Sequence, residues 1–219
     1  RNGAANDVWM MDPDDPENAQ IIVESQDGAY WSPTEFSASG SKVLVQSYVS
    51  IADSRVGIAD LDTGALTLVA GGPDNPSTNA PVAFDDENDG VWFITDQGRE
   101  VRRLAWQSAE AGAEPEIITT DLDWDVSGAE ISHDRRRIAF STNENGMSRV
   151  YLMDTASRQY RVVDAIPTGL AFGLTFSPDD SRLAMTLSSA TTPSDVFVLD
   201  LASEPLGYGR LTRWTESEV

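Results

Sequence analysis

One structural unit recurs four times along this chain of 219 residues, at a nearly constant spacing. Its opening joins an apolar anchor, a polar turn and an apolar run, as in EFSASGSKVLVQS and LTFSPDDSRLAMTL. The anchors lie 48, 47 and 45 residues apart, at Phe36, Phe84, Ile131 and Phe176. A period of this length indicates a repeat architecture, in which each copy is one supersecondary unit that packs on its neighbours.

The pattern inside each copy is that of β-strands. A second block reads RVGIADLDTG, RVYLMDTAS or DVFVLDLAS, and each block precedes another short apolar run. Apolar residues alternate at period two, and turn formers separate the runs. The segment Ala109–Glu114 carries Gly112 and precedes Pro115, so we expect a loop there. Four strands per copy predict an all-β chain built as a partial β-propeller, since a sandwich would show strands without this period.

The repeat boundaries predict one propeller fragment over residues 1–219, with a half-blade at 1–30 and blades at about 31–72, 80–120, 126–166 and 170–213. The chain opens in mid-repeat with DVWMMDPDD, and its first residue is Arg1 in place of Met. We therefore expect a piece of a longer protein. Strand edges exposed on its first and last blades are expected to allow self-association.

Charge and composition narrow the function classes. The formal net charge is −21, from 36 acidic and 15 basic residues, which argues against nucleic acid as a partner. The absence of cysteine excludes disulfides, thiolate metal sites and a cysteine nucleophile. No apolar run reaches the roughly 18 residues of a membrane span, so no membrane partner is expected. We expect a soluble protein of the bacterial cytoplasm or periplasm, two compartments that the sequence does not distinguish.

Several segments carry a resemblance to known families. The blade openings FSPDDSRLA and EISHDRRRIAF resemble the repeat of TolB-type propellers. Three longer stretches, Tyr30–Ser54, Trp124–Asp154 and Arg210–Val219, resemble the amino-terminal propeller of the prolyl oligopeptidase family of serine peptidases, including its dipeptidyl and acylaminoacyl peptidases. His133 departs from the pattern, because it stands where the repeat usually has proline.

The second resemblance implies a propeller of about seven blades that covers an α/β-hydrolase domain. That catalytic domain is expected beyond Val219, in the same polypeptide, with peptides as substrates. The propeller itself would be non-catalytic and would gate and orient those peptides. The alternative is a fragment of a stand-alone TolB-type propeller that binds protein partners.

The sequence offers no catalytic, cofactor-binding or metal-binding residues. A serine hydrolase of this class needs Gly-x-Ser-x-Gly, and no window of the chain fits it. The single histidine, His133, lies beside Asp134 in a predicted blade turn, so we expect a structural role. No cofactor is expected, and this fragment is not expected to be an enzyme, although its parent is.

Four further features allow a functional interpretation. An acidic run has the spacing of an EF-hand loop, but a solvated blade turn is the favoured interpretation; its members are Asp85, Glu87, Asp89, Gly90 and Asp96. A second acidic cluster predicts a hairpin loop, at Asp12, Asp14, Asp15 and Glu17. Trp9 and Trp92 lie in apolar strand patterns and are expected in the core. Glu100 is the one candidate for substrate contact, because a propeller carboxylate can hold the amino terminus of a peptide.

Overall fold

The computed structural model describes residues 6–25, 29–87, 90–110, 112–191 and 193–214, and their regular structure is all β-strand. No helix within these ranges is long and apolar enough to cross a membrane. The chain divides into two compact units, Arg1–Thr119 and Thr120–Val219. Every sheet is an antiparallel meander, in which strands adjacent in sequence are also adjacent in the sheet.

The first unit contains one two-stranded sheet and two four-stranded sheets. The two-stranded sheet is formed by β1 (Val8–Asp12) and β2 (Asp15–Val23). The next sheet comprises β3 (Tyr30–Phe36), β4 (Lys42–Ser50), β5 (Asp53–Asp60) and β6 (Leu66–Ala70). The third comprises β7 (Asn79–Phe84), β8 (Gly90–Thr95), β9 (Arg103–Ser108) and β10 (Glu116–Ile117).

The second unit contains two four-stranded sheets. One comprises β11 (Val126–Ile131), β12 (Arg137–Glu144), β13 (Met147–Asp154) and β14 (Tyr160–Val162). The other comprises β15 (Leu170–Phe176), β16 (Arg182–Ser188), β17 (Asp195–Leu201) and β18 (Tyr208–Arg213). Each of the four predicted repeats thus forms one four-stranded sheet. The loop predicted around Pro115 is also confirmed for the described residues there, while Ala111 lies outside them.

The apolar anchors of the repeat have one structural position. Each is the last residue of the first strand of its sheet, at the ends of β3, β7, β11 and β15. Phe84 and Phe176 are buried against residues of the preceding sheet in their own unit. Phe36 instead is 54% exposed, because the preceding sheet has only two strands, β1 and β2, in the described part of the chain.

Apolar cores lie between successive sheets of each unit. In the first unit, Leu44 and Ile58 of one sheet pack with Phe93 of the next. In the second unit, Leu152 packs with Leu183 and Leu199 across the corresponding sheet pair. These cores follow from period-two alternation, since alternate side chains of a strand point to the face that the neighbouring sheet of the unit covers.

The first strand of every four-stranded sheet is an edge strand with a register shift. The shifts follow Pro33 in β3, Pro81 in β7, Val126 in β11 and Phe172 in β15. Proline and bulges both interrupt the row of free backbone groups that an edge offers to another strand. Self-association through blade edges stays a prediction, and these four edges are poor templates for it.

One sequence expectation needs correction. Trp92 is buried as predicted, but Trp9 is 56% exposed, because it follows the buried Val8 in β1 and strand alternation turns it to the opposite face of the sheet. The consecutive residues Arg135, Arg136 and Arg137 would alternate faces if all three lay in one strand. Instead β12 begins only at Arg137, and Arg135 lies in the preceding turn with a left-handed φ of 59°.

Candidate functional site

Glu100 lies in an exposed segment between β8 and β9. The segment is held at its start, where Thr95 Oγ1 accepts a hydrogen bond from Gln97 N at 3.0 Å. Asp96 Oδ1 likewise accepts from Thr78 N at 2.7 Å. Glu100 therefore sits on a hairpin with a fixed base, where its carboxylate is open to a solute. Its contact with substrate stays a prediction.

His133 occupies the turn between β11 and β12, as predicted. The Asp180 carboxylate, from the equivalent turn of the next sheet, accepts hydrogen bonds from the backbone N–H groups of His133 and Asp134, at 2.9 and 2.8 Å. The imidazole Nδ1 lies 3.0 Å from Asp180 Oδ1. These contacts join two turns across a sheet boundary. They give the histidine a structural partner and not a nucleophile to activate.

The acidic run that resembles an EF-hand loop is divided between the two ends of one strand. Asp85 N donates to Gly90 O at the start of β8, whereas Asp96 lies just beyond its last residue. Six residues of strand separate them by roughly 20 Å, far beyond the span of one calcium coordination sphere. The metal interpretation of this run is therefore wrong, and Asp89 lies outside the described residues. Among the described residues, no group of three His, Cys, Asp or Glu side chains is placed to hold a metal ion.

Gly90 has a packing explanation that replaces the calcium one. A Cβ atom at this position would lie 2.5 Å from the indole ring of Trp106. The same indole donates from Nε1 to Asp85 Oδ2 at 3.1 Å. The glycine and the aspartate of the run are thus explained by contact with one tryptophan.

The other acidic cluster forms a hairpin turn, as predicted. Asp12 pairs with Asp15 in the β1–β2 register, and the turn between them contains Asp14. Asp12 Oδ1 accepts from Asp14 N at 2.9 Å, and Asp15 Oδ2 accepts from the side-chain amide of Asn18 at 2.6 Å. These carboxylates therefore stabilise the local turn through hydrogen bonds.

The two turns between the first and second strands of the second unit share one hydrogen-bonding scheme. In the last sheet, Asp179 Oδ1 accepts from the hydroxyl groups of Ser177 and Ser181, at 2.6 and 2.8 Å. These bonds lower the pKa of Asp179 to about 2. Asp134 is the equivalent residue of the β11–β12 turn. Partial burial opposes ionisation of its carboxyl group, but hydrogen bonds, of which the one from the Ser132 hydroxyl contributes most, lower its pKa. Such carboxylates stay ionised at neutral pH and are unsuited to proton transfer there.

A polar cluster that the sequence did not reveal surrounds Glu144, at the end of β12. Glu144 Oε1 accepts from Thr142 Oγ1 and from the Tyr151 hydroxyl, both at 3.1 Å, and Arg149 Nε lies 3.0 Å from Oε2. Burial, followed by the adjacent Glu144, raises the pKa of Tyr151. The cluster borders a cavity of about 240 Å³ that Met147 also lines. Its groups can bind a charged terminus, but a neutral phenol and a paired carboxylate provide no activated nucleophile.

Comparison with known proteins bears on the fold of the chain. No family model matches the chain. A solved structure of TolB from Acinetobacter baumannii has a TM-score of 0.63 and 16% identity, covering 98% of this chain and 52% of that one. A prolyl endopeptidase structure has a TM-score of 0.74 and 19% identity, covering 99% of this chain and 32% of that one.

These similarities show the fold. The chain has the β-propeller fold that the repeat predicted, in a form similar both to TolB and to the propeller of a prolyl endopeptidase. It spans about half the length of the first and about a third of the second.

Proposed function

We propose that this chain is the non-catalytic propeller of a prolyl oligopeptidase family serine peptidase. In this proposal it gates and orients peptide substrates for an α/β-hydrolase domain of the same polypeptide. The observation that carries the proposal is the likeness to a prolyl endopeptidase over 99% of the chain, at a TM-score of 0.74. The segments Tyr30–Ser54 and Trp124–Asp154, which resemble peptidase propellers in sequence, support it independently.

The gating role agrees with the absence of a nucleophile paired with a base among the described residues. The prolyl endopeptidase of the comparison belongs to a pair of enzymes in which inter-domain dynamics have a role in catalysis and specificity. In this proposal the propeller narrows access to the catalytic cavity of such an enzyme. Folded proteins would be excluded and short peptides admitted.

The second candidate is a fragment of a stand-alone TolB-type propeller that binds protein partners. The TM-score of 0.63 with TolB over 98% of the chain favours this candidate. The two candidates differ in the part of the polypeptide beyond Val219. The peptidase requires an α/β-hydrolase domain there, with Ser, Asp and His in that chain order and a Gly-x-Ser-x-Gly turn.

The experiment compares the 219-residue chain with the complete polypeptide that its gene encodes. Both are assayed with chromogenic dipeptide substrates and with acylated amino-acid substrates, which separate dipeptidyl from acylaminoacyl peptidase activity. We expect turnover by the complete polypeptide only, since a missing triad and oxyanion hole forfeit a rate enhancement on the order of a million-fold or more. Turnover by the 219-residue chain, or a complete polypeptide without the Gly-x-Ser-x-Gly turn, contradicts the proposal.

The candidate substrate contact is tested in the complete polypeptide with Glu100→Gln, and Glu87→Gln is the matched control on the other hairpin of the same sheet. If Glu100 holds the amino terminus of a peptide, Glu100→Gln raises KM for free dipeptides and leaves KM for amino-terminally blocked substrates unchanged. An equal effect of Glu100→Gln on both substrates would show that it acts through the structure and not through the charged terminus.

A further inference from the structure

The second unit contains a cavity of about 240 Å³ that is formed by neighbouring segments of that unit alone. It lies between the end of β12, the start of β13 and the segment that leads out of β14. In that segment, Val163 N donates to Val150 O at 2.8 Å, and Ile166 N donates to Val163 O at 3.2 Å. Ser148 N donates to Gly169 O at 2.8 Å, just before β15 begins. Backbone hydrogen bonds therefore fix the walls of the cavity, as in a preformed ligand site.

Glu144 orients the guanidinium of Arg149 at this cavity. One carboxylate oxygen of Glu144 accepts hydrogen bonds from the hydroxyl groups of the buried residues Thr142 and Tyr151, both at 3.1 Å. The other oxygen, Oε2, lies 3.0 Å from Arg149 Nε. No other described residue bonds to the Arg149 side chain, so both Nη groups are left for a ligand. A guanidinium held in this way can bind a carboxylate through two parallel hydrogen bonds.

A group of opposite charge, the carboxylate of Asp164, lines the same cavity. Tyr151 pairs with Val162 in the β13–β14 register, and continued pairing would place Asp164 opposite Arg149. The Asp164 backbone N–H donates to the Tyr208 hydroxyl at 3.1 Å, which fixes the main chain at this point. Within the described part of the chain, the Asp164 carboxylate has no hydrogen bond or ion pair, and none joins it to Arg149. The cavity therefore presents one positive and one negative group that the protein does not pair with each other.

Apolar side chains form another part of the wall. Met147, Ile166 and Pro167 line the cavity, and Met147 is 45% exposed beside the β12–β13 turn. Methionine is flexible and fills irregular space, so it can follow the shape of an aliphatic side chain. A water molecule occupies about 30 Å³ in the liquid, so the cavity has the volume of about eight waters. This volume is suited to one amino acid and is small for a longer peptide.

We propose that this cavity binds a free α-amino acid with an aliphatic side chain, such as leucine. Arg149 binds its carboxylate, Asp164 binds its ammonium group, and Met147 and Ile166 contact its side chain. A net charge of −21 on the chain disfavours a simple anion, whereas a zwitterion adds no net charge. In a peptide the two charges belong to different residues, so a free amino acid presents both within this volume. The site lies within the second unit and goes beyond the proposed function, since it requires no catalytic domain.

The test titrates the complete polypeptide with L-leucine and measures the heat of binding by calorimetry. Isocaproate, which lacks the ammonium group, and isoamylamine, which lacks the carboxylate, are titrated as probes that no peptidase can hydrolyse. We expect leucine to bind with a Kd of about 1 mM or lower. Each probe should bind at least about tenfold more weakly, because a hydrogen bond to a charged group contributes at least that factor. Absence of leucine binding, or a probe that binds as tightly as leucine, overturns the proposal.

Two variants, Arg149→Gln and Asp164→Asn, locate the binding. Each should weaken leucine binding at least about tenfold, and an unchanged urea midpoint checks that the variant is folded. Arg182→Gln is the matched control, because Arg182 and Arg149 have side chains with the same 55% exposure, and it should leave the Kd unchanged. Leucine binding that survives both cavity variants lies elsewhere and overturns the proposal. Leucine binding that both variants weaken, in a polypeptide without peptidase activity, supports this site and contradicts the proposed function alone.

Discussion

Asn79 is expected to be the most sensitive polar position of the first unit. Its side chain is fully buried, and Nδ2 donates to Ser54 O at 2.7 Å and to Ser77 Oγ at 3.0 Å. Its Oδ1 accepts from Thr95 Oγ1 at 2.6 Å. One amide thereby connects the β5 strand, the loop before β7 and the end of β8. The main chain also packs closely around this amide, because a Cβ atom at Gly71 would lie 2.8 Å from Asn79 Nδ2.

Asn79→Ala removes both the donor and the acceptor at this site. Ser77 O keeps another donor, Ser54 N at 2.9 Å, so the principal losses fall on the Ser54 carbonyl and the Thr95 hydroxyl. A buried polar group left without its partner costs about 1–3 kcal/mol, so the free energy of unfolding should fall by about 2–5 kcal/mol. That is a large fraction of the roughly 5–15 kcal/mol typical of a domain.

Urea unfolding, monitored by tryptophan fluorescence, measures this change. Asn75→Ala, in the exposed part of the same loop, is the control and should stay within about 0.5 kcal/mol of the parent. The double variant Asn79→Ala/Thr95→Val should lose less than the sum of its single variants, because the hydrogen bond between these two side chains is lost only once. A loss below about 1 kcal/mol for Asn79→Ala, or full additivity, would refute the reasoning.

Three further predictions test packing, bridging and titration. Phe84→Ala should lower the free energy of unfolding by about 3–5 kcal/mol, whereas Phe36→Ala should lower it by less than about 1 kcal/mol, because only Phe84 is buried. Both residues occupy the same repeat position, so similar losses would contradict the assigned burial. Arg137→Met should lower the free energy of unfolding by about 2–4 kcal/mol, since the buried guanidinium of Arg137 donates to three carbonyls of the next sheet. The variant of its exposed neighbour, Arg136→Met, should be nearly neutral. Equal effects would show that the hydrogen bonds of Arg137 between the two sheets do not stabilise the fold. The folded-state pKa of Asp179 is depressed from 3.8 to about 2, so its contribution is present above pH 3.8 and lost as the pH falls toward 2. Asp179→Asn should therefore flatten the decline of the urea midpoint in that window, and an unchanged slope would show that the turn bonds do not stabilise the fold.

The sequence by itself determined the repeat, the strands and the class of fold. Strand periodicity and turn residues are local properties, so the second block RVYLMDTAS could be assigned to a strand and turn without knowledge of its neighbours. The anchors at Phe36, Phe84, Ile131 and Phe176 likewise marked the end of every first strand. The spacing also predicted one sheet per repeat, because a four-stranded meander uses nearly the same number of residues each time.

The tertiary structure decided which of these equivalent residues are buried. Phe36 and Phe84 have the same place in the repeat, yet only Phe84 faces a complete preceding sheet. Trp9 and Trp92 lie in similar apolar patterns, but only Trp92 is on a covered face of its strand. Burial depends on the surface that lies opposite a strand, and a local sequence pattern carries no information about that surface.

Partners distant in sequence were also visible only in three dimensions. The guanidinium of Arg137 reaches Ala202 O, and Asp180 caps the turn of His133 from 47 residues away. The acidic run from Asp85 to Asp96 had a calcium spacing in sequence, but the strand β8 places its two parts at opposite ends of that strand. Spacing along a chain determines geometry only within one turn or one strand, and contacts between sheets are fixed by how those sheets pack.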